Sequence, residues 1–179
     1  ARFDAAALRR LLVSRDVLPE RKGFYGLALG MSAAAQPHER QANIALLREH
    51  VIAAANDFRA GFDGILAGSL VAEGTVALEF IAERFLRDPA AREGDVRHAL
   101  SAVRFAREFV VTIETKRIDN AVTSLLKRPE FAAEAMVDLA RWQSWDSLSE
   151  VASLYRAADT TAVHTNRAVV GYLSACPLP

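Results

Sequence analysis

Apolar side chains recur along the chain at the spacing of one helix face. Residues 4–14 place Ala5, Leu8 and Leu12 on one side, and four later segments carry a similar single stripe. These segments are 39–57 with Ile44, Leu47, Val51 and Ala54; 74–87 with Val76, Phe80, Ile81 and Phe85; 115–127 with Ile118, Val122, Leu125 and Leu126; and 147–156 with Leu148, Val151, Leu154 and Tyr155. This period predicts amphipathic helices, and no segment requires a strand.

A second pattern, made of small residues, lies between these stripes. GFYGLALG at 23–30 recurs 38 positions later as GFDGILAG at 61–68, and the same interval leads to ALSAVRFA at 99–106. The small residues stand at i, i+3 and i+7, which is one face of a helix. Because alanine replaces each glycine in the third copy, the shared property is small volume rather than backbone freedom. The pattern predicts helices that approach their neighbours closely.

Two fainter copies follow in the last third of the chain. They are VDLARWQS at 137–144, which begins with Val137 and keeps Ala140 and Ser144, and AVVGYLSA at 168–175, with Ala168, Gly171 and Ala175. The interval drifts, as it does in helical repeats whose loops vary in length. None of these strings is expected to bind phosphate, since the glycine copies neither follow a β-branched strand nor carry the Lys-Ser/Thr pair of phosphate loops.

The helix predicted over about 95–112 is apolar on two sides, as a helix packed between two neighbours should be. Its first side carries Val96, Leu100, Val103 and Val110, and its second carries Phe105 and Phe109. Asp95, which follows Gly94, is the expected N-cap. Helix starts are also predicted at VLPE and KRPE, because proline and glutamate both suit a first turn.

Together the two kinds of helix make about five helix-turn-helix units, with a length between those of tetratricopeptide and HEAT repeats. The predicted fold class is all-α: a right-handed α-solenoid of about five HEAT-like or tetratricopeptide-like repeats. We expect a single helical-repeat domain over residues 1–179. The sequence opens on Ala1, so a removed leader and a start inside a longer polypeptide both stay open.

The run of predicted hairpins, including GFDGILAGSLVAEG, DLARWQSWDSLSEVASLY and RAVVGYLSACPLP, resembles the HEAT-like helical-repeat proteins of uncharacterised function found in some bacteria. The resemblance covers residues 18–179. Proline and aspartate do not recur at fixed places in every unit, so HEAT-like, tetratricopeptide-like and irregular solenoids stay open. What the resemblance implies is a stack that presents a groove to another macromolecule, with no catalytic residues.

Composition narrows the classes of partner. Twenty-two basic residues balance twenty-two acidic ones, so no net field draws the chain toward nucleic acid or an anionic bilayer. Cys176 is the only cysteine, which excludes an intrachain disulfide and a four-cysteine metal site. No apolar stretch reaches the ~20 residues of a membrane-spanning helix. We expect a soluble chain, either cytoplasmic or exported after leader removal.

The residue types that usually carry out catalysis or bind metals form no complete motif in this sequence. The four histidines form no H-E-x-x-H or Glu-x-x-His pair. Asp95 and His98 have the spacing of metal ligands on a helix, but Asp95 is also the expected N-cap. Cys176 beside Pro177 is read as a small apolar residue, and the S-x-x-K string at 124–127 lacks the companion motifs of penicillin-recognising enzymes. We expect no catalytic residue, no metal and no cofactor.

Trp142 and Trp145 are the candidate partner-binding residues. They stand close together in RWQSWDSL, where two indoles could form an aromatic platform for a peptide or a base. The alternative, and the favoured one, is that they clamp the corner of a helical hairpin, since tryptophan buries a large apolar surface.

The resulting functional prediction is a non-catalytic scaffold that binds another protein or a peptide. Two alternatives stay open. One is an enzyme or a nucleic-acid-processing domain on a helical-repeat frame, which the zero net charge disfavours. The other is a structural spacer in a larger polypeptide. The sequence leaves the oligomeric state open.

Overall fold

The computed structural model of the chain describes residues 4–53, 59–157 and 163–177. Over these ranges there are ten α-helices and no strand, so the predicted all-α class is confirmed. The helices are α1 (Ala5–Val13), α2 (Pro19–Ala35), α3 (Pro37–Ile52), α4 (Phe62–Glu73), α5 (Thr75–Ile81), α6 (Glu93–Phe109), α7 (Thr115–Thr123), α8 (Pro129–Arg141), α9 (Leu148–Ala157) and α10 (Val163–Ala175). A π-helical turn (Ala82–Leu86) extends α5, and a 3₁₀ turn (Ser124–Lys127) extends α7.

The helices group into two compact units. The N-terminal unit, Ala1–Glu114, contains α1 to α6, and the C-terminal unit, Thr115–Pro179, contains α7 to α10. Each unit has its own buried apolar residues, such as Leu66 and Leu70 in the first and Phe131 and Leu139 in the second.

Local sequence explains where several helices begin. Pro19, Pro37 and Pro129 are the first residues of α2, α3 and α8, where the missing N–H would have had no partner within the helix. The backbone N–H of Ala7 donates to Asp4 Oδ1 over 2.9 Å at the start of α1. The helix starts predicted at VLPE and KRPE are confirmed.

Three helices of the N-terminal unit lie side by side and run in the same direction. Helix α4 contacts both α2 and α6. Gly23 of α2 lies against Gly61, just before α4, and Gly30 lies against Gly68, in the middle of α4. Because both contacts advance in the same direction, α2 and α4 are parallel. Near the start of α4, Asp63 lies 3.5 Å from His98 near the start of α6. Thr112, just past the end of α6, is the nearest neighbour of Gly74 past the end of α4, so these two helices are parallel as well.

Glycine sets the distance between α2 and α4. A Cβ atom added to Gly23, Gly30, Gly64 or Gly68 would come within 3.0 Å of backbone atoms of the facing helix, closer than real Cβ atoms approach. A Cβ on Gly26 would crowd the backbone of α4 in the same way. The first two copies of the small-residue pattern therefore face each other, and the predicted close approach is confirmed for both.

Gly61 and Gly74 have a different role, because they lie at the two ends of α4. Their φ angles are 75° and 59°, in the left-handed region that side chains with a Cβ rarely adopt. Gly61 precedes the first residue of α4, and Gly74 separates α4 from α5. Positive φ at these residues allows the chain to change direction within one residue.

The later copies of the pattern divide into one that is buried and two that are not. Ala99, Ala102 and Ala106 of α6 are at most 1% exposed, as predicted. In the C-terminal unit, Val137 is 50% exposed, and a Cβ added to Gly171 would meet nothing within 4 Å. The predicted close contact is therefore wrong at Gly171, and α10 buries Val169 and Tyr172 instead. In the copy at 137–144, Ala140 and Ser144 are half-buried.

Three other expectations also need correction. Val76 and Phe80 are 59% and 40% exposed, so they do not belong to the buried stripe that Ile81 and Phe85 do form. Phe109 is 65% exposed, so the second side of α6 is only partly covered. Helix α6 begins at Glu93, two residues earlier than expected, and this places Asp95 inside the first turn rather than at the N-cap.

Candidate functional site

An exposed apolar row runs along α2. Phe24 is 66% exposed, Met31 is 46% exposed and Leu27 is half-buried. These three residues, called the α2 row below, stand at i, i+3 and i+7 and so share one helix face. At the rise of an α-helix they cover roughly 10 Å along its axis.

The α2 row is held by a rigid support. Each member directly follows one of the glycines, Gly23, Gly26 and Gly30, that lie against the backbone of α4. Successive residues on a helix are about 100° apart, so the row faces away from that contact by about a quarter turn. Since the α2 backbone cannot shift toward α4, the row is presented with a fixed spacing.

A second group of exposed apolar side chains, an aromatic pair, lies on α6. The rings of Phe105 and Phe109 are 5.1 Å apart, and Phe109 is the more exposed of the two. Aromatic and methionine side chains are enriched in protein–protein interfaces, whereas large exposed apolar groups are costly on a surface that nothing covers. The N-terminal unit thus carries two groups of exposed apolar side chains, the α2 row and the pair Phe105 and Phe109.

Arg59, Arg92 and Asp95 form an ion cluster beside the start of α6. Arg59 Nε lies 3.1 Å from Asp95 Oδ1, and Arg92 contributes a second contact to this carboxylate at 3.0 Å. The Arg59 guanidinium also stacks 3.3 Å above the centre of the Phe62 ring. Burial lowers the pKa of Arg59, and the bond to Asp95 opposes that shift. The partly buried carboxylate is therefore satisfied by two arginines.

Arg59 of this cluster and a further arginine, Arg84, donate hydrogen bonds to carbonyl groups at the end of α3. Arg59 donates to the carbonyl of Ala53 over 3.2 Å, and Arg84 donates to the carbonyl of Ile52 over 3.3 Å. Carbonyl groups in the last turn of a helix have no partner within it, and positive charge there is favourable. These arginines therefore have a structural role that explains their position without a ligand.

Asp95 and His98, which have metal-ligand spacing in the sequence, have different neighbours in the structure. Asp95 is bound to the arginines, while His98 Nδ1 lies 3.5 Å from Asp63 Oδ1 on α4. The His98 ring also meets Phe62 edge-on, with ring centres 6.0 Å apart. Within residues 4–53, 59–157 and 163–177, no group of three or more His, Cys, Asp or Glu side chains could hold a metal ion.

In the C-terminal unit, the end of α8 fixes a corner of the chain. The N–H of Gln143 donates to the carbonyl of Ala140, and the N–H of Ser144 donates to that of Leu139, at 3.1 and 2.9 Å. This pair of bonds is a Schellman motif, which needs a left-handed residue. Gln143 occupies that position with φ 57°, the only positive φ outside glycine among the described residues.

Trp145 and Tyr172 tie this corner to α10. The buried Tyr172 hydroxyl donates to the carbonyl of Ser144 over 2.6 Å, and the Trp145 ring meets the Tyr172 ring edge-on with centres 5.1 Å apart. Burial raises the pKa of Tyr172 to about 12. Trp142, also half-buried, is the C-cap residue of α8. Both tryptophans lie at the corner that follows α8.

A cleft of about 370 Å³ opens beside this corner. Its lining comes from the end of α8, the corner and the end of α10: Ala140, Arg141, Gln143, Trp145, Ala175 and Pro177. Of the two candidate partner-binding residues, Trp145 contributes to the cleft, whereas Trp142 is absent from its lining. Cys176, which is half-buried, lies between two of the lining residues in the sequence.

Comparison with known proteins adds no assignment, because the chain matches no protein-family model, no curated protein and no solved structure. None of the helices in the described part of the chain is long and apolar enough to cross a membrane.

Sequence reasoning missed two of these features, the α2 row and the cleft as a whole. The α2 row was hidden inside the glycine motif, although its signal was present: Phe24, Leu27 and Met31 have helical spacing and are offset by one residue from the glycines. The Arg141–Trp145 cleft had no such signal, because it depends on the left-handed turn at Gln143 and on the packing of α10.

Proposed function

We propose that this chain is a non-catalytic protein-binding module, built as an α-solenoid of stacked helical hairpins, and that its α2 row contacts the partner. The observation that carries the proposal is the exposure of Phe24 and Met31 on a helix whose backbone is fixed against α4. A preorganised row loses little conformational entropy when it binds.

Two further observations support this reading. Helices α2, α4 and α6 are parallel and adjacent, with α3 and α5 between them in sequence, which is the relation that successive hairpins of a solenoid produce. The formal net charge is zero, so the chain lacks the electrostatic attraction that phosphate-rich partners require. An apolar row at i, i+3 and i+7 is suited instead to the apolar face of another protein's helix.

The test is a quantitative capture experiment with extract from the source cells. Proteins retained by the wild-type chain are compared with those retained by Phe24→Asp and Met31→Asp. Either variant should weaken retention of the specific partner by at least about tenfold, because burying a Phe or Met side chain contributes about 1.5–3 kcal/mol.

Val76→Asp is the matched control, since Val76 is an exposed apolar residue of the same unit on another helix, α5. It should retain the partner like the wild type, and circular dichroism should show that all three variants are folded. Equal loss in all three variants, or no protein whose retention depends on Phe24, would contradict the proposal.

A further inference from the structure

The cleft at the corner of the C-terminal unit holds three groups of hydrogen-bond donors. The guanidinium of Arg141, the amide of Gln143 and the indole N–H of Trp145 donate no hydrogen bond to any described residue. Arg141 Nη1 forms an ion pair with Oδ1 of the buried Asp138 at 3.8 Å, a separation beyond hydrogen-bond distance, so its N–H groups are still free to donate. The donors therefore remain available to a ligand.

The charge of the lining favours an anion. Arg141 is the ionised side chain among the lining residues, and it is 64% exposed. The carbonyls at the end of α8 would otherwise attract a cation, but those of Asp138, Leu139 and Ala140 already accept bonds from Trp142, Ser144 and Gln143. An arginine binds a carboxylate well because its planar donors match the two oxygens.

The remaining lining favours an apolar or aromatic body attached to that anion. Ala140, Ala175 and Pro177 contribute apolar surface, and Trp145 contributes a flat ring. The volume of about 370 Å³ lies at the lower end of the range for small-molecule sites, so one side chain or a small acid fits.

The walls of the cleft are also fixed before binding. The Schellman bonds hold Gln143, the hydroxyl of Tyr172 holds the carbonyl of Ser144, and the Tyr172 ring supports Trp145. Asp146, which follows Trp145 in the sequence, forms an exposed ion pair with Lys116 at 3.1 Å. Such preorganisation lowers the entropy lost when a ligand binds.

We propose that this cleft binds a carboxylate carried on an apolar or aromatic group, with Arg141 holding the carboxylate and Trp145 contacting the apolar group. The proposal does not depend on the α2 row. The same chemistry is found in a small free acid and in the C-terminal residue of a peptide, and the experiment separates these two sources.

The first experiment titrates the folded chain with phenylacetate and, at equal ionic strength, with phenylacetamide. Binding is followed through the two tryptophan indole N–H signals in nuclear magnetic resonance spectra, which Trp142→Phe assigns. The Trp145 signal should shift with phenylacetate, whose dissociation constant should be at least about tenfold lower than that of the amide, because an ionised carboxylate accepts a stronger hydrogen bond from arginine than a neutral amide does.

Arg141→Gln should weaken phenylacetate binding at least about tenfold. Arg167→Gln is the control, since Arg167 is an exposed arginine of α10 outside the lining of the cleft, and it should bind like the wild type. Equal binding of acid and amide, unchanged binding by Arg141→Gln, or no shift at concentrations on the order of 10 mM would overturn the proposal.

A second arm compares acetyl-Ala-Ala-Phe with a free C-terminus against the same peptide ending in an amide. If the free peptide binds more tightly than both its amide and phenylacetate, the site takes a peptide C-terminus. If phenylacetate binds more tightly than the free peptide, the site takes a small free acid. If the free and amidated peptides both bind and phenylacetate does not, the carboxylate has no role and the proposal is wrong.

Discussion

The α2–α4 pair and the α8–α10 pair both join helices that carry a version of the same small-residue pattern, yet the two pairs pack differently. In α2–α4 glycines face glycines, and the backbones touch. In α8–α10 the glycine at 171 faces open space, while the large side chain of Tyr172 fills the interior. A glycine in this pattern therefore marks a close backbone contact at Gly64 and an open surface at Gly171, and the packing of the neighbouring helices decides which.

The largest expected effect comes from adding bulk to the close crossing. Gly64→Leu should lower the free energy of unfolding by about 3 kcal/mol. The new side chain would meet backbone atoms of Gly23, which cannot move aside as a flexible side chain could. Chemical denaturation followed by circular dichroism measures the change. Unaltered stability would show that α2 and α4 do not touch at this position.

In the C-terminal unit, removing a buried hydrogen bond should also lower the free energy of unfolding. Tyr172→Phe deletes the hydrogen bond to Ser144 and should cost about 1 kcal/mol of unfolding free energy. It keeps the ring that contacts Trp145 and therefore isolates the hydroxyl group.

This variant also has a pH signature. Burial raises the pKa of Tyr172 to about 12, above the value of about 10 for an unfolded tyrosine. The folded state therefore holds the phenolic proton more tightly, so the stabilisation is complete below pH ~10 and is lost as the pH rises from ~10 to ~12. The difference in stability between the wild type and Tyr172→Phe should shrink over that window. A difference that stays constant would contradict a buried, proton-donating hydroxyl.

Replacing the left-handed residue after α8 with glycine should increase the stability of the protein. Gln143→Gly should raise the free energy of unfolding by about 1 kcal/mol, since φ 57° strains a residue with a Cβ. Thermal unfolding of the two proteins, scanned under the same conditions, provides the comparison. A lower melting temperature for the variant would show that contacts of the Gln143 side chain outweigh this strain.

The smallest expected effect gives the clearest contrast between the two pairs. Gly171→Ala should stabilise α10 by about 0.5–1 kcal/mol, because alanine favours the helix and its methyl group meets open space. The same change at Gly64 should destabilise the protein, since the new methyl group would meet backbone atoms. If both substitutions shift the unfolding midpoint in the same direction, the contrast between the two helix pairs is wrong.

Much of the secondary structure could be predicted because it depends on local pattern. The helix expected at 4–14 is found at Ala5–Val13, and the one expected at 95–112 is found at Glu93–Phe109. Proline and glutamate marked the starts of α2 and α8 for the same local reason. Part of the helix expected at 39–57 lies outside the described residues, and α3 ends at Ile52.

The candidate surfaces were harder to predict because they depend on contacts between distant residues. Val76 and Phe80 follow the helical period that buries Ile81, yet they face solvent. Asp95 looked like a cap, but its carboxylate binds Arg59, which is 36 positions away in the sequence. The prediction of a solenoid that binds another protein stays a prediction.

The sequence by itself determined that the chain is helical and where most of its helices begin, since helical period and the position of proline are local properties. Only the tertiary structure decided that the two glycine strings face each other, that Gly171 contacts no neighbour, and that Arg141 and Trp145 line one cleft. These outcomes depend on which surfaces meet, and a pattern along one helix does not specify the helix that covers it.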